Sequence, residues 1–153
     1  MEIIEHIVPV DLSIAPDGEL IRIPSMSATS YHAEKRLTAV DRAKKTALIA
    51  SESNDQYLVW CDTNYEADEL KKLIPDAVEV RGSDKNEFKE QSAKDFKSGK
   101  IRVLISKPKM FGYGLNFQNC HNIIFCGLSF SYESFYQALK RVLRFGQDRK
   151  SVV

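Results

Sequence analysis

The sequence predicts an α/β fold, a three-layer sandwich around a mainly parallel β-sheet. Three observations carry this. From residue 57 onward, short apolar runs alternate with stretches of helical spacing. The runs are continuous rather than alternating polar and apolar, which is how strands buried on both faces read. The chain has 153 residues, 43% of them hydrophobic and 28% charged, enough for one domain with a sizeable core.

The elements follow in order. Residues 1–30 hold Pro9, Pro16 and Pro24. "EHIVPV" and "ELIRIP" could be short edge strands, because proline excludes a central position. This part reads as an extension or an inter-lobe linker. From Tyr31 to about Ala50 an alanine-rich polar helix is expected, with Leu37, Val40, Ala47 and Leu48 as its apolar points. "YLVWC" (57–61) is a strand. "NYEADELKKLI" (64–74) is a helix with Ala67, Leu70, Leu73 and Ile74 on one side. "AVEVRG" (77–82) is a strand. "KNEFKEQSAKDFKSGK" (85–100) is a charged helix with Phe88 and Phe96 on one face, ended by Gly99. "IRVLIS" (101–106) and "NIIFCG" (122–127) are strands, and "YESFYQALKRVLRF" (132–145) is a helix. The terminal "SVV" reads as the start of another strand.

Composition excludes several classes. Net charge is +1, from 22 basic and 21 acidic residues, so the totals do not mark a strongly basic nucleic-acid binder, although local patches are allowed. No apolar run approaches the roughly 18 residues of a membrane span, and the N-terminus has no secretory pattern. Cys61, Cys120 and Cys126 lack metal-ligand spacing; Cys61 and Cys126 sit in apolar runs and read as reduced, buried thiols of a cytoplasmic protein.

On a parallel sheet, ligands bind beyond the C-terminal strand ends. After 57–61 comes "DTN", where Thr63 and Asn64 suit either a helix N-cap or a phosphate at a helix N-terminus. After 77–82 comes "GSDK". After 101–106 comes "KPKMFGYGLNFQNC", with two lysines, two closely spaced glycines and Asn116. Glycine permits close backbone approach and lysine suits phosphate. A dinucleotide fingerprint fails here, because its third glycine position is Phe117 and no acidic residue ends the next strand. In the last helix, Gln137, Arg141 and Arg144 share one stripe by their spacing, opposite Leu139, Val142 and Leu143. That stripe is either a solvated basic face or a phosphate-binding one.

"FGYGLNFQNCHNIIF" and "QALKRVLRFGQ" closely resemble motifs V and VI of the Snf-type helicases and translocases of superfamily two. "YLVWCDTNYEADEL" resembles motif IV and "VEVRGSD" the segment after it; the wording is most similar to helicase-related proteins of phages and prophages. The resemblance covers about residues 31–153 and implies the second, RecA-like helicase lobe. It implies that Arg141 and Arg144 reach across a cleft to ATP phosphates, with Gln137 in support. It implies that Gly112, Gly114, Leu115 and Asn116 line that cleft. Thr63, Asn64, Gly82, Lys107 and Lys109 become candidate contacts to nucleic-acid phosphates.

The phosphate loop pattern G-x-x-x-x-G-K-[ST] is absent, and "DEL" (68–70) falls on a helix rather than at a strand end. The expectation is therefore one lobe of a larger enzyme. ATP and Mg2+ would be used by the full-length protein and neither held by this lobe alone. Its partners would be an N-terminal RecA-like lobe of the same polypeptide and DNA, duplex or single-stranded, with no membrane. A stand-alone nucleic-acid-binding module without ATPase activity is the alternative, weakened by the near-neutral charge. A nucleotide-cofactor domain such as a methyltransferase is disfavoured by the broken glycine pattern.

Overall fold

A computed structural model describes residues 2–9, 28–110, 116–129, 131–140 and 142. Its elements are α1 (Ala28–Leu37), α2 (Ala39–Ser51), β1 (Tyr57–Trp60), α3 (Asn64–Leu73), β2 (Val78–Val80), α4 (Asn86–Lys97), β3 (Val103–Ser106), β4 (Asn122–Phe125) and α5 (Tyr132–Lys140). The four strands form one sheet of order β2-β3-β1-β4, every pair parallel. Tyr57 stands opposite Val103 on one side and Asn122 on the other, and Trp60 opposite Ser106 and Phe125.

The central strands β1 and β3 are buried at every position. Their side chains alternate between two cores. Leu58, Trp60, Leu104 and Ile123 pack with Phe96, Ala138 and Leu139, on the side of α4 and α5. Val59, Cys61, Val103 and Ile105 pack with Ala43, Ala50, Ala67 and Leu70, on the side of α2 and α3. The chain runs from β1 past β3 to β2 through α3 on one face, then back to β3 through α4 on the other. Opposite directions on opposite faces are what a single hand of crossover requires. The next connection passes β1 to reach β4, so the switch in direction falls at β1 and β3.

Local chemistry sets the helix ends. Thr63 caps α3: its side chain accepts from the Glu66 amide, and the Glu66 carboxylate returns to the Thr63 amide. After α4, Gly99 adopts φ 81°, a left-handed turn that only glycine takes without strain. At the amino ends of the strands, Gln56 donates to the carbonyls of Phe96 and Ile101 (2.8 and 2.7 Å), and its own oxygen accepts from Asn119 (2.7 Å).

Several faces differ from expectation. The helix expected over 31–50 begins at Ala28 and is broken at Thr38. Its packed face is Ala39, Ala43, Thr46 and Ala50, whereas Val40 and Leu48 are exposed. Small residues let α2 lie close to α3, and the larger ones take the outer side. Leu73 is likewise exposed, with Glu66, Ala67, Leu70 and Ile74 buried instead. Phe88 is exposed while Phe96 is fully buried; eight residues exceed two helical turns by about 80°, so Ser92 and Ala93 share the face of Phe96. Residues 3–9 form no strand, and Ile3, Ile4 and Ile7 bury no face. "ELIRIP" and "SVV" lie outside the described residues.

Phe96→Ala should cost about 3–5 kcal/mol of stability, the usual range for emptying such a core site. Phe88→Ala should stay within about 0.5 kcal/mol. Urea unfolding of the two variants side by side checks the assignment; comparable losses would contradict it.

Candidate functional site

The carboxyl ends of the strands open onto two adjacent cavities. One, of about 300 Å³, lies between the ends of β1, β3 and β4 and the first turn of α5. The other, of about 290 Å³, lies between the ends of β1, β3 and β2. Cys61, Lys107 and Met110 border both. Of the candidate phosphate contacts, Lys107 and Lys109 line the first cavity, and Asn64, Gly82 and Lys107 the second. Thr63 lines neither cavity, and its hydroxyl is engaged in the cap of α3. A Cβ at Gly82 would sit 2.9 Å from Met110 Sδ, so the loops after β2 and β3 touch at a residue with no side chain. Lys89 donates to the Gly82 carbonyl at 2.8 Å and holds that loop from α4.

Beneath this edge lies a polar network that the motifs did not reveal. Glu66 has no exposed surface. One of its oxygens accepts from the amides of Asp62 (2.8 Å) and Thr63 (3.0 Å). The other lies 2.7 Å from Arg42 Nη1, a charge contact rather than an aligned hydrogen bond. Arg42 also donates to the carbonyls of Cys126 and, at 2.7 Å, Lys35. Lys35, itself buried, pairs with Asp62 and donates to the Leu128 carbonyl, which also accepts from Tyr31 at 2.9 Å. The loops after β1 and β4 are thus tied to α1, α2 and α3. Gly127 completes the arrangement: a Cβ there would lie 2.5 and 2.6 Å from the two Glu66 oxygens. The detectable signal was the Thr63-x-x-Glu66 capping box; nothing local marks Lys35, Arg42 or Gly127.

Among the residues assigned to the ATP cleft, Gln137 and Asn116 are described. Gln137 is exposed on α5, while Ala138 and Leu139 of the same helix, and Val142 after it, are buried. Asn116 has a buried side-chain oxygen without a hydrogen-bond partner, a free acceptor beside the Phe117 that fills the core. Arg141, Arg144, Gly112, Gly114 and Leu115 lie outside the described residues. Among the described residues no three His, Cys, Asp or Glu side chains cluster as metal ligands. No described helix is long and apolar enough to cross a membrane.

All three cysteines are buried and none is in a disulfide. Burial pushes the Cys61 and Cys120 thiols up to about 12 and Cys126 to about 11, from an ordinary 9.0. That direction disfavours the thiolate, the nucleophilic form, and of the three Cys61 lines the cavities.

The sequence profile of the helicase conserved C-terminal domain matches residues 38–146. No curated protein matches the chain. Solved structures that share its fold include the following three. The C-terminal part of the Fun30 ATPase domain aligns at TM-score 0.64 and 21% identity, over 77% of this chain and 40% of that one. The yeast DEAD-box splicing factor Prp28 aligns at 0.63 and 18%, over 74% and 26%. A Dbp5 variant of S. cerevisiae bound to RNA and ADP BeF3 aligns at 0.60 and 19%, over 74% and 31%. The chain thus spans less than half the length of each.

Gly127→Ala should destabilise the chain by about 1–3 kcal/mol through overpacking against the buried carboxylate. Arg42→Ala should cost about 3–5 kcal/mol, because it strands that charge. Denaturant titration reads both, and near-neutral results would remove the network from the account. A second expectation concerns pH. The folded thiols keep protons that unfolded ones release above about pH 9, so the unfolded state binds fewer protons and stability falls as pH rises toward 12. Replacing the three cysteines by alanine should flatten that slope in alkaline melts.

Proposed function

Because the chain belongs to the helicase conserved C-terminal domain family, we propose that it is the C-terminal RecA-like lobe of an ATP-dependent nucleic-acid helicase or translocase. The observation that carries this reading is the gathering of Asn64, Gly82, Lys107 and Lys109 at one sheet edge, around two adjoining cavities. Lysines and a glycine at such an edge suit phosphates spaced along a strand. The Dbp5 structure, bound to RNA and ADP BeF3, supports nucleic acid and nucleotide as the ligands of such a lobe.

The finer reading is a Snf-type enzyme of phage or prophage character acting on DNA, and it rests on the wording of "FGYGLNFQNC" and "QALKRVLRFGQ". In this scheme an N-terminal RecA-like lobe holds ATP and Mg2+, neither of which this chain has a phosphate loop to cradle. Arg141 and Arg144 supply delocalised positive charge where the transferring phosphoryl group gains negative charge. Gln137, exposed on α5 and four residues before Arg141 in the sequence, supports that contact. Gly112, Gly114, Leu115 and Asn116 line the cleft between lobes and link it to the nucleic-acid edge. Thr63 holds the start of α3, so that Asn64 meets the second cavity.

The chain alone should release no phosphate from ATP, with or without DNA. In the protein completed by its N-terminal lobe, Arg141→Ala and Arg144→Ala should each lower nucleic-acid-stimulated turnover at least about a hundredfold. Their melting should stay near parental. Lys97→Ala, exposed on α4, is the control. Parental turnover in either arginine variant would end its assignment as a finger, and unfolding would make it structural.

A further inference from the structure

The exposed side of α5 carries a short pile of groups that neither the core nor the assigned motifs use. Tyr132, Tyr136 and Lys140 follow one another at steps of four, so they stand in one row along the helix. The two tyrosine rings are stacked, with centroids 6.2 Å apart and planes 23° apart. Lys140 Nζ lies 5.2 Å from the Tyr136 centroid and closes that end of the pile. The other end is open. Tyr132 is 77% exposed and Tyr136 44%, so the outer ring gains little from folding and the inner one remains partly open to solvent. Two large aromatic rings held parallel in water, with a cation behind them, are a surface awaiting a flat partner.

The pile also has a direction. Tyr132 is in the first turn of α5, the turn whose Ser134 and Phe135 border the cavity lined by Lys107 and Lys109. Its open ring is therefore at the end of the helix nearest the lysines. The acidic group on this stretch, Glu133, is in the first turn, where the helix dipole favours it.

We propose that Tyr132 and Tyr136 form a stacking platform for unpaired nucleobases, with Lys107, Lys109 and Lys140 taking the flanking phosphates. A single-stranded nucleic acid presents flat π-faces at regular intervals beside negative charge, which matches rings next to lysines. A duplex hides those faces. The inference rests on the reading of this edge as a nucleic-acid interface and adds what that reading lacks: contact with bases, and hence a preference for single strands.

Fluorescence anisotropy at low salt tests it with two labelled probes of equal length, oligo-dT and an abasic strand with the same phosphates and no bases. The parental chain should bind oligo-dT at least about fivefold more tightly than the abasic strand, the lower end of what one stacked base contributes. Tyr132→Ala/Tyr136→Ala should bring oligo-dT down to the abasic level and leave abasic binding unchanged. Tyr132→Phe/Tyr136→Phe, which keeps both rings, should retain the preference. Lys107→Ala/Lys109→Ala should weaken both probes together. Equal parental affinity for the two probes overturns the platform while leaving the phosphate interface standing. Binding of neither probe overturns the nucleic-acid reading and the platform with it. Unchanged oligo-dT binding by the alanine pair also overturns it and would give this face to a protein contact, such as the partner lobe.

Discussion

A carboxylate with no exposed surface, Glu66, governs how the functional edge is built. An ionised group out of water is costly unless every lone pair is met by charge or a hydrogen bond. Two amides of the loop after β1 serve one oxygen, and Arg42 serves the other. Both requirements constrain their surroundings. The amides must point inward, which fixes the turn from β1 into α3 and so the place of Asn64. Arg42 must reach across from α2, which the alanine face of that helix allows by keeping it close. Gly127 must leave room, which fixes the path of the chain out of β4. The loops after β1 and β4, which border the first cavity, are therefore held by the satisfaction of one buried charge.

How much of this could be read beforehand varied with the range of the interaction. The four strands were legible because "YLVWC" or "IRVLIS" is apolar at nearly every position, and a short continuous run between turn signals has few other uses. Helix existence was legible too, but helix phase was not. On α2 the larger residues Val40 and Leu48 look like the packed face, yet close contact with α3 selects alanines. On α4 the pairing of Phe88 with Phe96 fails because their angular offset puts one ring in solvent. The network under the site was least legible. Lys35, Arg42, Glu66 and Gly127 come from four parts of the chain, and only the strand order β2-β3-β1-β4 brings them together.

The two ends of the sheet are finished in different ways. At the amino ends, Gln56 and Asn119 close the gap between strands and α4 with amide hydrogen bonds. At the carboxyl ends, the switch in chain direction separates the loops and leaves two cavities between them, with lysines on their walls. The closed end contributes packing, and the open end offers lysine side chains and loop edges to a ligand. Lys107, first residue after β3, stands between the two cavities, so a phosphate in either would feel the same cation.

α5 adds a mechanical property to this edge. It is nine residues of uninterrupted helix, Tyr132–Lys140, anchored by Ala138 and Leu139. At about 1.5 Å of rise per residue, Gln137 is only about 7.5 Å along the axis from Tyr132. Both lie on the exposed side, and no flexible joint separates them. A stiff rod of that length cannot move at one point and stay still at the other. Any tilt imposed at Gln137, by a neighbour closing over it, is delivered to the tyrosine row in the same instant and by a comparable amount. Lever action of this kind would let a change in the cleft shift a strand resting on the helix, with no relay of side chains in between.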